Sequence, residues 1–159
     1  MFLNLDDLGL RGGHRHEAAY AVEVAPVTFG GAKYEVLLPE GVTVTVDRVA
    51  GGFLVRLTLD AKAYGPCSLC LEQTELAVHA EQEEFVPTAA RGWSESESSP
   101  FIDDMVVDVS ALAREALVLA MPDRVLCAAS CRGLCAQCGT DLNRGSCGCK
   151  TLEITEPMG

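Results

Sequence analysis

Hydrophobic and polar residues alternate along much of the first half of the chain, which is the pattern of half-buried β-strands. The alternation begins at Tyr20, with Val22 and Val24, and returns in residues 42–49. It is clearest in residues 53–63. The two expected faces of that segment are Phe53, Val55, Leu57, Leu59, Ala61 and Ala63 on one side and Arg56, Thr58, Asp60 and Lys62 on the other.

These strands are expected to pair in an antiparallel arrangement. Gly51 and Gly52 separate residues 42–49 from residues 53–63 and predict a tight hairpin turn, because glycine tolerates positive φ. Another strand is predicted over residues 76–85, with its first apolar even-numbered positions facing inward before the register changes. The first half of the chain is therefore predicted to be a mainly antiparallel sheet.

Two helices are predicted. Asn4 can cap a short N-terminal helix that ends by the glycines at positions 12 and 13 and places acids in its first turn, where the helix dipole favours them. A longer helix begins at Asp108 or Ser110, runs to about residue 120 and ends at Pro122. The face of this helix that packs on the sheet is expected to consist of Leu112, Ala116 and Leu119.

Two polar segments are predicted to be loops. Residues 11–16 form a basic, glycine-containing stretch that a solvated loop explains. Residues 87–100 lack an apolar period, since serine and glutamate alternate in their second half, and are expected to be exposed. Trp93 in this second loop is expected to fold back on the core.

Composition is that of a globular protein with one main core. The 159 residues are 48% hydrophobic and 22% charged, close to the averages for such proteins. No basic stretch followed by an apolar run opens the chain, so no secretory signal is expected. The most apolar segment, residues 106–121, is interrupted by charges and too short to span a bilayer. A cytoplasmic protein is expected.

Charge is acidic and uneven along the chain. Twelve basic and 23 acidic residues leave a formal charge of −11. Residues 71–109 hold ten carboxylates against one base, Arg91, whereas residues 127–150 reverse this balance. Non-specific attraction to nucleic acid is therefore disfavoured. Direct RNA contact, if made, should be local and use Arg11, Arg15, Arg132, Arg144 and Lys150.

Eight cysteines carry the candidate chemistry. Cys67 and Cys70 form a CxxC pair shortly after the strand at 53–63. The other six lie within 23 residues, at Cys127, Cys131, Cys135, Cys138, Cys147 and Cys149. In a reducing cytoplasm this density favours metal ligation over disulfides. Knuckle turns can aim paired thiolates at one tetrahedral ion.

Zinc is the expected metal, because four thiolates suit a borderline-soft, redox-inert ion. An iron–sulfur cluster accepts the same ligands and stays an alternative. The favoured division of ligands is Cys67, Cys70, Cys127 and Cys131 in one site and Cys135, Cys138, Cys147 and Cys149 in the other. A rival division combines the two CxxC pairs, 67/70 and 135/138, in a single site.

The combined patterns predict an α+β fold with a cysteine-rich module. Residues 1–126 would form an antiparallel β domain, sheet or partial barrel, with the short N-terminal helix and the longer packed helix. Residues 127–150 would form a zinc ribbon packed on it, and residues 151–159 a tail. Loss of the first zinc site should harm the whole fold, whereas loss of the second should release only the tail.

Catalytic signatures are missing from the sequence, which has no GxSxG, no P-loop and no HxE followed by a metal motif. His79 is expected to be a structural or surface residue rather than a ligand. The chain is therefore predicted not to be an enzyme. The main alternative is a thiol–disulfide oxidoreductase that uses Cys67 and Cys70. A metal sensor or transcription-associated zinc ribbon is a third hypothesis, weakened by the absence of a basic recognition helix.

The order of these motifs resembles the YceD family, whose bacterial members are named for the accumulation of large-subunit ribosomal RNA. The resemblance covers roughly residues 60–150. It rests on Cys67, Ser68, Leu69, Cys70, Leu71, Glu72, Ile102, Asp103, the helix from Leu112 to Pro122, Leu126, Cys127, Cys131, Arg132, Gly133, Leu134, Cys135, Cys138, Gly139, Asp141, Leu142, Asn143, Cys147, Gly148 and Cys149. It implies a non-enzymatic role in ribosomal RNA maturation or large-subunit assembly. The implied partner is large-subunit ribosomal RNA, its precursor or a ribosomal protein.

Overall fold

The computed structural model describes residues 1–88 and 99–149. Within these residues the largest element is a six-stranded sheet in which all pairs are antiparallel. Its strands are β2 (Arg15–Tyr20), β3 (Val27–Phe29), β4 (Ala32–Leu37), β5 (Val42–Val49), β6 (Gly52–Pro66) and β7 (Gln73–Pro87). The predicted mainly antiparallel sheet is confirmed.

β6 organises this sheet because it is paired on both sides. β7 pairs with it over its whole length. On the other side β5 pairs with residues 52–59 and β4 pairs with residues 62–64, while β2 and β3 extend the sheet beyond β5 and β4. The predicted hairpin at Gly51 and Gly52 joins β5 to β6, and Gly51 has the positive φ of +82° that such a turn requires.

The alternation predicted for residues 53–63 is present in β6. Its six apolar odd-numbered residues are buried, and they meet the buried Val42, Val44 and Val46 of β5. Its polar residues face outward and form cross-strand ion pairs with β7, between Arg56 and Glu83 and between Lys62 and Glu75. The sheet therefore has one core face and one solvated face.

A smaller three-stranded antiparallel sheet supports the long helix. β1 (Phe2–Asn4) pairs with β9 (Val106–Asp108), which also pairs with β8 (Ile102–Asp103). α1 (Val109–Ala120) follows β9 directly and packs mainly on β7. The Asp108 carboxylate accepts the Ala111 N–H at 3.1 Å, so the predicted cap is confirmed. No helix in residues 1–88 and 99–149 is long and apolar enough to cross a membrane.

The predicted packing face of α1 is wrong at one residue. Leu112 and Ala116 are buried, but Leu119 is 67% exposed and Leu117 is fully buried instead. The buried stripe also includes Val109 and Ala113. Nine of the twelve residues of α1 are valine, leucine or alanine, which allows several i, i+4 stripes, and the contact with β7 selects among them.

The N-terminal segment is shorter than predicted and partly extended. Asn4 ends β1, and its side chain accepts the Asp6 N–H at 2.9 Å. The helix is a single 3-10 turn, Asp6–Leu8, that ends at Gly9 with φ +59°. Residues 12 and 13 lie beyond it.

The predicted bounds of the first strand and of the loop before it are wrong. Tyr20 ends β2 rather than starting a strand, and Arg15 and His16 open β2 rather than lying in a loop. Among the described strands, β2 pairs with β5 alone. Its inward positions include His16 and Ala18, which are only half-buried. Because histidine is polar and alanine is small, these positions give little apolar signal in the sequence.

The register change predicted in β7 does not occur. Gln82 and Glu84 take inward positions, and Val86 continues the same buried alternation. Because polar residues occupy two inward positions, the sequence alone gives the same pattern as a change of register. The predicted loop at 87–100 begins later, because Pro87 still belongs to β7, and residues 89–98, with Trp93, lie outside the described residues.

Candidate metal centres

The turn between β6 and β7 presents the first two cysteines. The Cys67 N–H donates to the Glu72 carbonyl at 2.8 Å, and the Leu71 N–H donates to the Cys67 carbonyl at 3.0 Å. Leu71 lies in the left-handed region with φ +64°. This tight turn directs the side chains of Cys67 and Cys70 to a common point, and both are buried.

Tyr34 holds the strand end that leads into this turn. Its ring is buried, and its hydroxyl donates to the Pro66 carbonyl at 2.8 Å. A Cβ at Gly65 would lie 2.3 Å from the ring, so only glycine permits this packing. Sequence reasoning missed Tyr34, because the Gly-Pro pair before Cys67 gives no sign of which side chain covers it.

The segment after α1 docks on the same turn through hydrogen bonds from backbone N–H groups. The Ser68 N–H donates to the Val125 carbonyl at 2.7 Å, and the Val125 N–H donates to the Ser68 hydroxyl at 3.2 Å. Farther on, the Leu134 N–H donates to the Leu69 carbonyl at 3.0 Å. A Cβ at Gly133 would lie 2.9 Å from that carbonyl oxygen. These bonds bring the chain around residues 127–131 against the turn.

The sulfur atoms of the first site form one cluster. Those of Cys67, Cys70, Cys127 and Cys131 all lie within 4.8 Å of one another. The Cys67–Cys131 separation is 3.8 Å and the Cys70–Cys127 separation is 3.6 Å. Four thiolates bound to one ion at about 2.3 Å in a regular tetrahedron would lie about 3.8 Å apart. The donor set and its spacing therefore fit a single tetrahedral ion.

The second site repeats the turn of the first. The Cys135 N–H donates to the Thr140 carbonyl at 2.8 Å, and the Gly139 N–H donates to the Cys135 carbonyl at 2.8 Å. The offsets along the chain equal those from Cys67 to Glu72 and from Leu71 to Cys67. Gly139, with φ +72°, occupies the position of Leu71. The sulfur atoms of this second cluster belong to Cys135, Cys138, Cys147 and Cys149 and also lie within 4.8 Å of one another.

The sulfur atoms thus group as in the favoured division, and the two CxxC pairs do not meet in one cluster. All eight cysteines are free thiols, and each cluster could hold a metal ion. His79 belongs to neither cluster. It lies on the outer face of β7, with Nδ1 2.8 Å from the Asp60 carboxylate.

Ionisation is uneven among the thiols of the first cluster. Burial opposes ionisation of Cys67, but backbone N–H groups of Cys70, Leu69 and Cys127 outweigh it and lower the pKa of Cys67 to about 6. Contacts with the thiols of Cys70 and Cys131 raise the pKa of Cys127 to about 12. A cation that requires four thiolates must therefore displace protons, and its affinity falls as the pH falls.

The second cluster shows the same division. A hydrogen bond with the Thr140 hydroxyl lowers the pKa of Cys138 to about 6. Contact with the Cys138 thiol raises the pKa of Cys149 to about 12. A thiolate in each cluster is thus formed readily, while another thiol ionises only when a cation compensates the charge.

A family model described as "Large ribosomal RNA subunit accumulation protein YceD" matches residues 55–157. The chain belongs to the YceD family. The matched range starts within β6 and contains both cysteine clusters and α1. The family description links the chain to the accumulation of large-subunit ribosomal RNA. No curated protein and no solved structure matches the chain.

The basic residues considered for RNA contact that the structure describes, Arg11, Arg15, Arg132 and Arg144, do not form one patch in this YceD chain. Arg15 pairs with Asp47 at 2.6 Å, opposite the start of β6. Arg144 pairs with Glu72 at 2.8 Å, just beyond the end of β6. The twelve residue-to-residue steps from position 54 to position 66 separate these points by about 40 Å along the strand.

The other candidates differ in their surroundings. Arg11 lies in the loop before β2, and its carbonyl accepts the His14 N–H. Arg132 is exposed beside the first cluster, and its side chain has no ion-pair partner in residues 1–88 and 99–149. Lys150 lies outside the described residues. Arg124, which sequence reasoning did not single out, is also exposed and directly precedes Val125 at the docking point.

Proposed function

We propose that this YceD-family chain is a non-enzymatic, zinc-binding accessory factor for large-subunit ribosomal RNA accumulation or maturation and ribosome assembly in the cytoplasm. The observation that carries the proposal is the pair of four-thiol clusters inside the region that matches the family. Four thiolates complete a tetrahedral site and leave no open position for a substrate, as in structural zinc sites. When bound, zinc would supply folding energy.

The sulfur spacing supports zinc over an iron–sulfur cluster. Separations of 3.6 and 3.8 Å are those of ligands to one central atom. Ligands of a multi-iron cluster bind different iron atoms, so their sulfur atoms must lie farther apart. Metal analysis of the purified protein tests this choice directly. Two zinc ions per chain are expected, and iron with acid-labile sulfide would contradict the proposal.

Burial weakens the oxidoreductase alternative. Cys67 is 0% exposed and Cys70 is 6% exposed, whereas an attacking thiolate has to reach its disulfide substrate. Alkylation of the native protein before and after chelation separates the two functions. Protection of all eight thiols until the metal is removed supports metal ligation. Rapid labelling of Cys67 or Cys70 before chelation would support thiol exchange.

The charge of the chain favours a basic protein partner over extended contact with RNA. The net charge is −11, and the guanidinium groups of Arg15 and Arg144 are engaged by carboxylates of the chain itself. The proposed partner is therefore a ribosomal protein, or RNA through a local contact beside the first cluster, where Arg124 and Arg132 are exposed.

Crosslinking in cells followed by analysis of bound RNA and protein tests this partner assignment. Enrichment of large-subunit ribosomal RNA, its precursors or large-subunit proteins is expected, together with a deficit of large subunits on deletion. Background levels of all three, with unchanged ribosome profiles, would refute the ribosomal role. Replacing both Arg124 and Arg132 by Ala should weaken a direct RNA contact, whereas the matched pair Arg15→Ala and Arg56→Ala should not.

A further inference from the structure

One side chain from the loop of the second cluster reaches the first cluster. Asn143 lies between Cys138 and Cys147 in the sequence, yet its Nδ2 is 3.5 Å from the Cys131 sulfur. Its Oδ1 accepts the Arg132 N–H at 2.8 Å. Asn143 thus contacts a first-cluster cysteine and the backbone that follows it, while second-cluster cysteines flank it.

Neighbouring groups fix the orientation of this amide. The Asp141 Oδ1 accepts both the backbone N–H and the side-chain Nδ2–H of Asn143, each at 2.9 Å. A reversed amide would turn its oxygen towards the Asp141 carboxylate and the Cys131 sulfur, and would face the Arg132 N–H with another donor. The hydrogen-bond network therefore requires that a donor face Cys131.

The rest of the loop reinforces this contact through backbone groups. The Leu142 N–H donates to the Gly133 carbonyl at 2.9 Å, and residues 134 and 141 form an antiparallel bridge. Arg144 extends from the same loop to Glu72 in the turn between β6 and β7. The loop is closed at its ends by Cys138 and Cys147, so the grouping of the second-cluster thiols sets where Asn143 lies.

We propose that Asn143 is a positioning residue that couples the two metal sites. A metal ion in the second site holds the loop so that the Asn143 amide donates to the Cys131 thiolate. That hydrogen bond disperses charge on the sulfur and orients it, which raises the metal affinity of the first site. Because coupling between binding sites is reciprocal, a filled first site also strengthens the second. This inference rests on the zinc binding in the proposed function, and it replaces the expectation that loss of the second site releases only the tail.

Zinc competition with a chromophoric chelator tests the coupling in the full chain. Asn143→Asp keeps the size of the side chain but removes the donor, and Asn143→Ala removes it without adding charge. Each should lower the zinc affinity of the first site by about 10-fold or more, the usual effect of losing such a supporting contact. Asn4→Asp is the matched control, because its Oδ1 accepts in either form, and it should leave both sites unchanged.

A double-mutant cycle makes the test specific. Replacing Cys147 and Cys149 by Ser should also weaken the first site. Adding Asn143→Asp to that variant should then have little further effect, because both changes act through one contact. In the cobalt-loaded protein, loss of the Asn143 donor should shift the thiolate-to-cobalt band to longer wavelength, which a purely structural change would not do.

The outcomes separate this inference from the proposed function. Two bound zinc ions with an unchanged first-site affinity in Asn143→Asp and Asn143→Ala would overturn the coupling alone. Fully additive effects in the cycle would also overturn it. A folded native chain that binds no zinc would overturn the proposed function, and the coupling with it.

Discussion

At the residue scale, the two CxxC turns, at residues 67–72 and 135–140, differ in which amino acid occupies the position with positive φ. Leu71 has φ +64° and Gly139 has φ +72° in turns with the same backbone hydrogen bonds. A left-handed conformation costs a residue with a Cβ roughly 1–2 kcal/mol, while glycine costs about 0.5–1 kcal/mol in lost chain entropy. Because Leu71 is 63% exposed, its side chain contributes little packing.

Leu71→Gly is therefore expected to stabilise the zinc-loaded protein by up to about 1 kcal/mol in urea denaturation. Leu69→Gly is the control in the same turn, because residue 69 does not have positive φ. It should destabilise the protein. A loss of stability in Leu71→Gly as large as that in Leu69→Gly would show that the Leu71 side chain has a role of its own.

Tyr34 allows a second test at a single atom. Tyr34→Phe removes the hydroxyl that donates to the Pro66 carbonyl and leaves the buried ring in place. A loss of about 1 kcal/mol is expected in the free energy of unfolding, with faster zinc release from the first site. Tyr64→Phe is the control on the outer face of β6, where the hydroxyl hydrogen-bonds only the exposed Glu75 side chain among the described residues. It should leave zinc release unchanged and cost less stability than Tyr34→Phe. Equal effects from the two substitutions would mean that the Tyr34 hydroxyl does not stabilise the turn between β6 and β7.

His79 gives a pH-dependent prediction. Hydrogen bonding to Asp60 and its charge raise the pKa of His79 above its usual value. The contact therefore stabilises the protein at pH values below the pKa of His79 in the unfolded chain, and this stabilisation is lost as the pH rises through the higher folded pKa. Asp60→Asn should lower the His79 pKa in an NMR titration. An unchanged titration would show that the pair does not persist in solution.

At the scale of elements, α1 depends on its first turn. Asp108 accepts the Ala111 N–H, and the residues that follow are apolar or small, so no other side chain replaces this cap. Asp108→Ala should cost about 1 kcal/mol of stability, whereas Asp108→Asn should cost much less. Thermal unfolding followed by circular dichroism at 222 nm measures both. Equal losses would indicate that the charge of Asp108, rather than its hydrogen bond, matters.

The elements that the sequence could predict are those in which local pattern and tertiary position agree. The β5–β6 hairpin has an apolar face, a polar face and a glycine turn, and each residue lies where the pattern indicates. The prediction of β2 was wrong because the inward side of this strand is only half-buried and carries the polar His16. The register predicted for β7 was wrong beyond Ala80. Continuous pairing with β6 places Gln82 and Glu84 on the inward side despite their polarity. β1 pairs with the distant β9, and β8 and β9 have only two and three residues, so no local period marks these strands.

At the scale of the whole molecule, the spacing of the cysteines predicted the two groups but not the contacts that hold them together. The last four cysteines lie close together in the sequence with Gly139, Gly145 and Gly148 between them, which predicted a compact site, and Gly139 has the positive φ of a turn. Asn143 and Tyr34 carry no such signal, because their roles depend on partners at 131 and 66. Long-range contacts of this kind cannot be obtained from periodicity or local spacing.

The first cluster ties distant parts of the chain, and this determines the effect of metal removal. It joins the β6–β7 turn at residues 67–70 to residues 127–131, closing a loop that contains β7, β8, β9 and α1. Because α1 packs on β7, releasing this closure exposes the helix–sheet contact as well as the cysteine segment. Binding energy at such a site is folding energy, and structural zinc contributes on the order of 10 kcal/mol in small domains.

Removal of zinc by a chelator should therefore lower the melting temperature by at least about 10 °C and reduce the cooperativity of the α1 signal. Cys70→Ser with Cys131→Ser should reproduce this loss without chelator. Cys138→Ser with Cys149→Ser should cause a smaller fall, because the second cluster closes only a short loop and acts on the first through Asn143. Calorimetry of the zinc-loaded and zinc-free proteins measures these differences. A melting temperature unchanged by chelation would show that the sheet and α1 are stable without the first site, and that the hydrogen bonds of Val125 and Leu134 suffice to dock this segment on the turn.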